Sequence, residues 1–312
     1  MKIQNHQKKT FITVSSSLIF MIGIFSLGCT KPQTIDVSTG FHFNPKQVTA
    51  LTLVKSDATS GDHWMAVFKR TAGENQWTIS SPPSDQKLAD TRANSGFINH
   101  LLDTFPTLHL DEPAPKGPLE ALGLDPPLFS LRWETPDSQH ELRVGSRLKG
   151  KGSSYVQKGT SEPYIGSGSA LRLLDLIESF PFLREKSWSI WTSDDVDEIE
   201  IKQPGKPVFY AQREGSQWTD RKHKEVKKNM DQFLETLTTA QSLGFIDDPR
   251  ESDELTKYVE AHSQFEAKLM DRHGNVTLLK LKQKGEVLYG INSRRKSIVM
   301  SLNSNLLKQV SF

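Results

Sequence analysis

Nine histidines are the first residues to test for chemistry in this 312-residue chain: His6, His42, His63, His100, His109, His140, His223, His262 and His273. None forms an HxH or HExxH pair, so spacing alone brings no two imidazoles to one centre. His109, Asp111 and Glu112 are the densest set of metal-ligand types, but a structural zinc takes four converging ligands, and a solvated surface explains these three more simply. "GSRLKGKGSS" (145–154) lacks the order of a phosphate-binding loop and lies between two strand candidates, so it reads as a charged hairpin. "GSGS" (166–169) precedes a helix whose free amides could receive an anion, although capping by Ser169 accounts for it with less. No GxSxG nucleophile elbow occurs, and the carboxylates of "SDDVDE" and "DDPRESDE" are too adjacent to face each other across a substrate. No catalytic, metal-ligating or cofactor-binding residue is assigned, and an enzyme would need a site assembled from distant residues.

Two basic clusters carry a different kind of chemistry. "RKHKEVKK" supplies Arg221, Lys222, Lys224, Lys227 and Lys228, and "SRRKS" supplies Arg294, Arg295 and Lys296. The first is expected to open an amphipathic helix, where positive charge opposes the helix dipole and stabilises nothing. Together the clusters form a candidate interaction face for anionic lipid, an anionic envelope polymer or an acidic protein. A solvated face balanced by neighbouring acids is the plainer alternative.

Cys29 is the only cysteine. It follows a basic start (Lys2, Lys8, Lys9) and an apolar run from Phe11 to Phe25 that is short for a spanning helix. Basic region, short apolar region and terminal small residue read as a secretory signal. Leu27, Gly28 and Cys29 resemble the end of the lipobox of bacterial lipoproteins, with Ser26 in place of the commoner Leu or Val. That resemblance implies cleavage before Cys29, a diacylglyceryl group on its sulfur and an acyl group on its new amine. By resemblance to the sorting rule of enterobacterial-type lipoproteins, Thr30 in place of an aspartate after the cysteine implies the outer membrane rather than inner-membrane retention. Without residues 1–28 the 39 Lys and Arg fall to 36 against 37 Asp and Glu, so no basic surplus points to nucleic acid.

These residues need elements to position them. Strand candidates at 48–54, 63–70 and 75–80 precede an amphipathic helix expected over Asp90–Phe105. A turn-rich "LEALGLDPP" follows, then several strands and a helix over Ala170–Phe180. The order returns from Val196: strands, a helix expected over Glu225–Ala240, a short helix over Ser252–Tyr258, strands and a short terminal helix. "NQWTIS" and "SQWTD" place Trp77 opposite Trp218. The fold class is α+β: two related modules with mainly antiparallel sheets and amphipathic helices packed on them. The expected organisation is a cleaved signal (1–28), an acylated N-terminus with a polar tether (29–46), a first module (47–190) and a second, more divergent one (191–312).

"NQWTIS", "LAD", "LEALGLDPP", "ELRVG", "SSYVQ" and "FLREKSW" resemble the bacterial family DUF4340, most clearly over residues 50 to 200. The resemblance carries Trp77, Pro82, Ala89, Asp90, Gly123, Leu124, Asp125, Pro126, Gly145 and Tyr155 over as packing and turn positions. Trp218 is kept in the second module, where "GFIDDP" replaces "GLDP". The family is often membrane-associated, with some members beside ABC-transporter components that resemble a gliding-motility auxiliary system. The expected function is a lipid-anchored envelope protein acting as a binding or assembly scaffold, in contact with membrane lipid and an envelope protein or polymer. An auxiliary component of a transporter or surface machine, or an envelope hydrolase with a noncontiguous site, are the alternatives.

Overall fold

A computed structural model describes residues 41–56, 63–83, 88, 90–149, 152–226, 229–295 and 298–311. Cys29, the cleavage site, Ala89, Lys227, Lys228 and Lys296 lie outside the described residues. Residues from Val37 onward belong to one compact unit.

That unit is built on two antiparallel sheets of eight strands each. The first comprises β1 (Ala50–Ser56), β2 (His63–Lys69), β3 (Thr78–Ser81), β4 (His109–Pro113), β5 (Phe129–Glu134), β6 (Gln139–Leu148), β7 (Ser153–Lys158) and β8 (Tyr164–Ser167). The second comprises β9 (Val196–Lys202), β10 (Phe209–Glu214), β11 (Gln217–Thr219), β12 (Ser242–Phe245), β13 (Phe265–Asp271), β14 (Val276–Lys284), β15 (Val287–Asn292) and β16 (Val299–Leu302). Their spatial orders are β3-β2-β1-β5-β6-β7-β8-β4 and β11-β10-β9-β13-β14-β15-β16-β12. Position by position these are the same order. Even the register breaks repeat, with a shift in β4 between Leu110 and Glu112 and one in β12 between Ser242 and Gly244.

Alternation of apolar residues turns one face of each sheet inward. Leu51, Leu53, Leu131 and Val144 meet α1 (Ser95–Thr104) and α2 (Ser169–Asp175) through Ile98, Leu101, Leu102, Leu171 and Leu174. Ile199, Ile201, Leu269 and Leu279 meet α3 (Met230–Thr238) and α5 (Asn305–Gln309) through Phe233, Leu234, Leu237 and Leu306. Each module is therefore an α+β layer, with helices inserted after the third and eighth strands.

Two of the expected helices begin later than their apolar spacing suggests. Asp90–Ala93 is extended because Ile79 N–H donates to Thr91 O and Ala93 N–H to Trp77 O. α1 starts only where the Asn94 side chain accepts from Phe97 N–H. α3 likewise starts after Asn229, whose side chain accepts from Gln232 N–H, so Arg221, Lys222 and Lys224 precede the helix rather than open it. Asp231 occupies its first turn, as the dipole favours. α2 is shorter than expected, and a separate tight turn spans Phe180–Leu183.

The modules differ most in the segment between their fourth and fifth strands. In the first, a turn over Leu119–Leu122 ends at Gly123, and the Asp125–Pro126 bond is cis. A Cβ on Gly145 would lie 2.3 Å from Leu122 O, and Gly123 itself has a left-handed φ of 65°. Both glycines let this turn rest directly on β6. In the second, the segment is α4 (Pro249–His262), capped by Asp248 accepting from Arg250 and Glu251 N–H. "GFIDDP" thus divides between the end of β12 and the start of α4 rather than replacing the "GLDP" turn in place.

Candidate functional site: the junction between the modules

The segment Leu183–Trp188, "LREKSW", runs extended and bonds to both modules in succession. Asn94 N–H donates to Leu183 O and Glu185 N–H to Arg92 O, which joins it to the strip outside β3. Ser242 N–H then donates to Lys186 O and Trp188 N–H to Ala240 O, which joins it to the start of β12. This strap links the two modules through isolated bridges, Arg184 to Ala93 and Ser187 to Gln241.

Charge is buried along it. Arg184 donates to both carboxylate oxygens of Asp247 at 2.5 and 2.9 Å, and its guanidinium lies 4.0 Å from the Phe245 ring centroid. The Arg295 side chain is 0% exposed; it donates to Asp90, Ser187 O and Glu185 O. Asp90 also receives Arg92 N–H and its guanidinium. Two ion-paired sets thereby meet across the junction, Asp90 with Arg92 and Arg295 and Arg184 with Asp247, linked where Arg184 donates to Asp90 O. Buried charges survive only when paired and hydrogen-bonded, so each depends on the modules' mutual placement.

Two concavities flank the strap. One of about 360 Å³ lies between α4 and the outward face of the second sheet, lined by Asp253, Thr256, Glu260, Lys280, Asn292 and Arg295 among others. The other, about 270 Å³, lies beside Trp77, Arg92, Ser95, Glu185 and Ile190. Both have mixed polar linings suited to water or a polar ligand; neither pairs a nucleophile with a base along its wall. No group of three His, Cys, Asp or Glu converges for a metal among the described residues.

The candidate basic face divides. Arg295 is removed from it, because its side chain is enclosed in the junction and spends its donors there. Arg221, Lys222, Lys224 and Arg294 are exposed. Arg221 pairs with Glu200 at 3.1 Å and stacks over Tyr210, while Arg294 donates to Val276 O. The family-like positions are structural in different ways. Trp77 and Trp218 are buried and Leu124 is fully enclosed. Tyr155 is half-buried on β7. Asp90 is the exception: its carboxylate belongs to the junction. His109, Asp111 and Glu112 line an edge strand and are exposed. Ser169 is not a cap; Gly168 holds that position, without a side-chain bond. Sequence reasoning missed Arg184 and Asp247. The one available signal was the charged run Arg184–Lys186 set between Leu183 and Trp188 in "FLREKSW".

Among the described residues no helix is long and apolar enough to cross a membrane. A family model described as a domain of unknown function, DUF4340, matches residues 77–258. That is more than half of the chain, and the chain belongs to this family. The match runs from Trp77 in the first module to α4 in the second, so the strap lies inside it together with Asp90, Arg184 and Asp247. No curated protein and no solved structure matches.

Proposed function

We propose that the chain is a lipid-anchored protein of the bacterial envelope, held by acylated Cys29 at the outer membrane and facing the periplasm, and that its two modules act as a binding or assembly scaffold. The observation that carries the scaffold reading is the junction. An ionic network buried between two sheets of equal topology fixes both as one body, which is what a presenting surface requires. Anchoring is supported by the residues around Cys29. Two or more acyl chains hold firmly at about 0.8 kcal/mol per buried methylene. Arg221, Lys222, Lys224 and Arg294 are exposed basic positions for an acidic partner or an anionic polymer, and Lys227, Lys228 and Lys296 adjoin them in the sequence.

Two measurements test the reading. Cys29→Ser should abolish fatty-acid labelling and release the chain from the membrane fraction; undiminished labelling would remove the anchor. Crosslinking in intact membranes should capture a neighbour. A transporter component among the captured proteins would select the auxiliary role over the general scaffold.

A further inference from the structure

The contact between the modules has a direction. The first module contributes the strip 91–94 outside β3, and the second contributes Ala240–Ser242 at its fourth strand, with the strap laid between them. One side of the module therefore faces the other side of its repeat, a heterologous arrangement rather than a twofold one.

Equal topology means that each module also keeps the side its repeat has used. Val226 N–H donates to Trp218 O just as Ala93 N–H donates to Trp77 O, so 224–226 is the second module's counterpart of the strip 91–93. β4 is the first module's counterpart of β12. Among the described residues, β4 pairs only with β8, and 224–226 pairs only with 218–220. A bulge and charges restrain such an edge from indiscriminate pairing but still leave its backbone groups open.

The two sides without a further strand partner among the described residues differ in charge. Asp111 and Glu112 are exposed on β4, and Glu162 is exposed beside the neighbouring β8. Arg221, Lys222 and Lys224 are exposed on the other side, where Glu225 is also exposed and Arg221 pairs with Glu200. The internal junction is mixed in sign, with Asp90 and Arg92 on the β3 side and Asp247 after β12.

We infer that the chain associates head to tail with a second copy of itself, the acidic β4 side of one copy docking on the basic 221–226 side of the next. This rests on the scaffold reading and names its partner. A heterologous contact that does not close into a ring propagates, so anchored copies form rows on the membrane.

Sedimentation of the full chain in mild detergent tests it. Wild type should associate with rising concentration and dissociate with added salt. D111N/E112Q and K222Q/K224Q should each weaken self-association about tenfold or more while keeping the wild-type circular dichroism and unfolding temperature. Each variant retains one intact side, so mixing the two should give a one-to-one complex that grows no further. A wild type that stays monomeric at all concentrations, or a mixture that forms no such complex, overturns the inference. Membrane crosslinking separates the two proposals. Capture of another envelope protein but never a second copy removes self-assembly and leaves the scaffold; capture of nothing removes both.

Discussion

Trp77 and Trp218 are held by the same three-part arrangement at matching places. The Trp77 indole N–H donates to Asn99 Oδ1, and the Arg70 guanidinium lies 4.5 Å from the ring while donating to the same oxygen. The Trp218 indole donates to Asp231 Oδ1, with Arg213 at 4.7 Å and donating likewise. A buried indole needs an acceptor for its N–H, and a cation over its face adds about 0.5 to 2 kcal/mol. Burial lowers the Arg70 pKa, opposed by the nearby Asp103 charge. The third tryptophan of this kind, Trp188, donates to Leu237 O and crowds Gly290, where an added Cβ would lie 2.6 Å from the ring. Gly290→Ala should therefore cost about 1 to 3 kcal/mol through overpacking, read as a lowered urea midpoint. An unchanged midpoint would show that Trp188 can shift freely. The paired "QWT" made two of these tryptophans visible in the sequence. Their partners were not, because Asn99 and Asp231 lie on different turns of their helices and no fixed spacing links them to the indole.

The strap shows why some elements were legible and others were not. Apolar spacing correctly located three amphipathic helices, α1, α2 and α3, since a stripe facing a sheet has only one period. It overextended α1 and α3, because Thr91–Ala93 and Lys224–Val226 carry residues a helix would accept while their amides and carbonyls are taken by the neighbouring strand. Neither β4 nor β12 was foreseen, for edge strands this short show little alternation. The junction was least legible of all, because Arg295 reads as one basic residue among three until its burial is seen. Arg295→Met should cost about 3 to 5 kcal/mol by leaving Asp90 without its buried partner. The double variant Arg295→Met with Asp90→Leu should lose less than the sum of the single losses. Additive losses in urea unfolding would mean that the pair is not coupled.

Two sheets of identical strand order could fold separately and dock, or could require each other. The first module contains all eight strands of its sheet, and α1 and α2 complete its core without a residue from the second. What crosses between them is mostly polar: strap hydrogen bonds and the Asp90, Arg184, Asp247 and Arg295 network. The second core draws Trp188 from the strap, but the first core is complete without any residue beyond Leu183, so separable folding is expected of the first module. We therefore propose the boundary near residue 190, and expect a chain ending there to unfold in one cooperative transition. Arg184 would regain water near the new end and Asp90 would keep Arg92, so the seam's loss should lower the midpoint without abolishing the fold. The denaturant slope should fall in proportion to the smaller surface exposed on unfolding. A fragment with no cooperative transition would show that the seam, rather than either core, makes the protein fold.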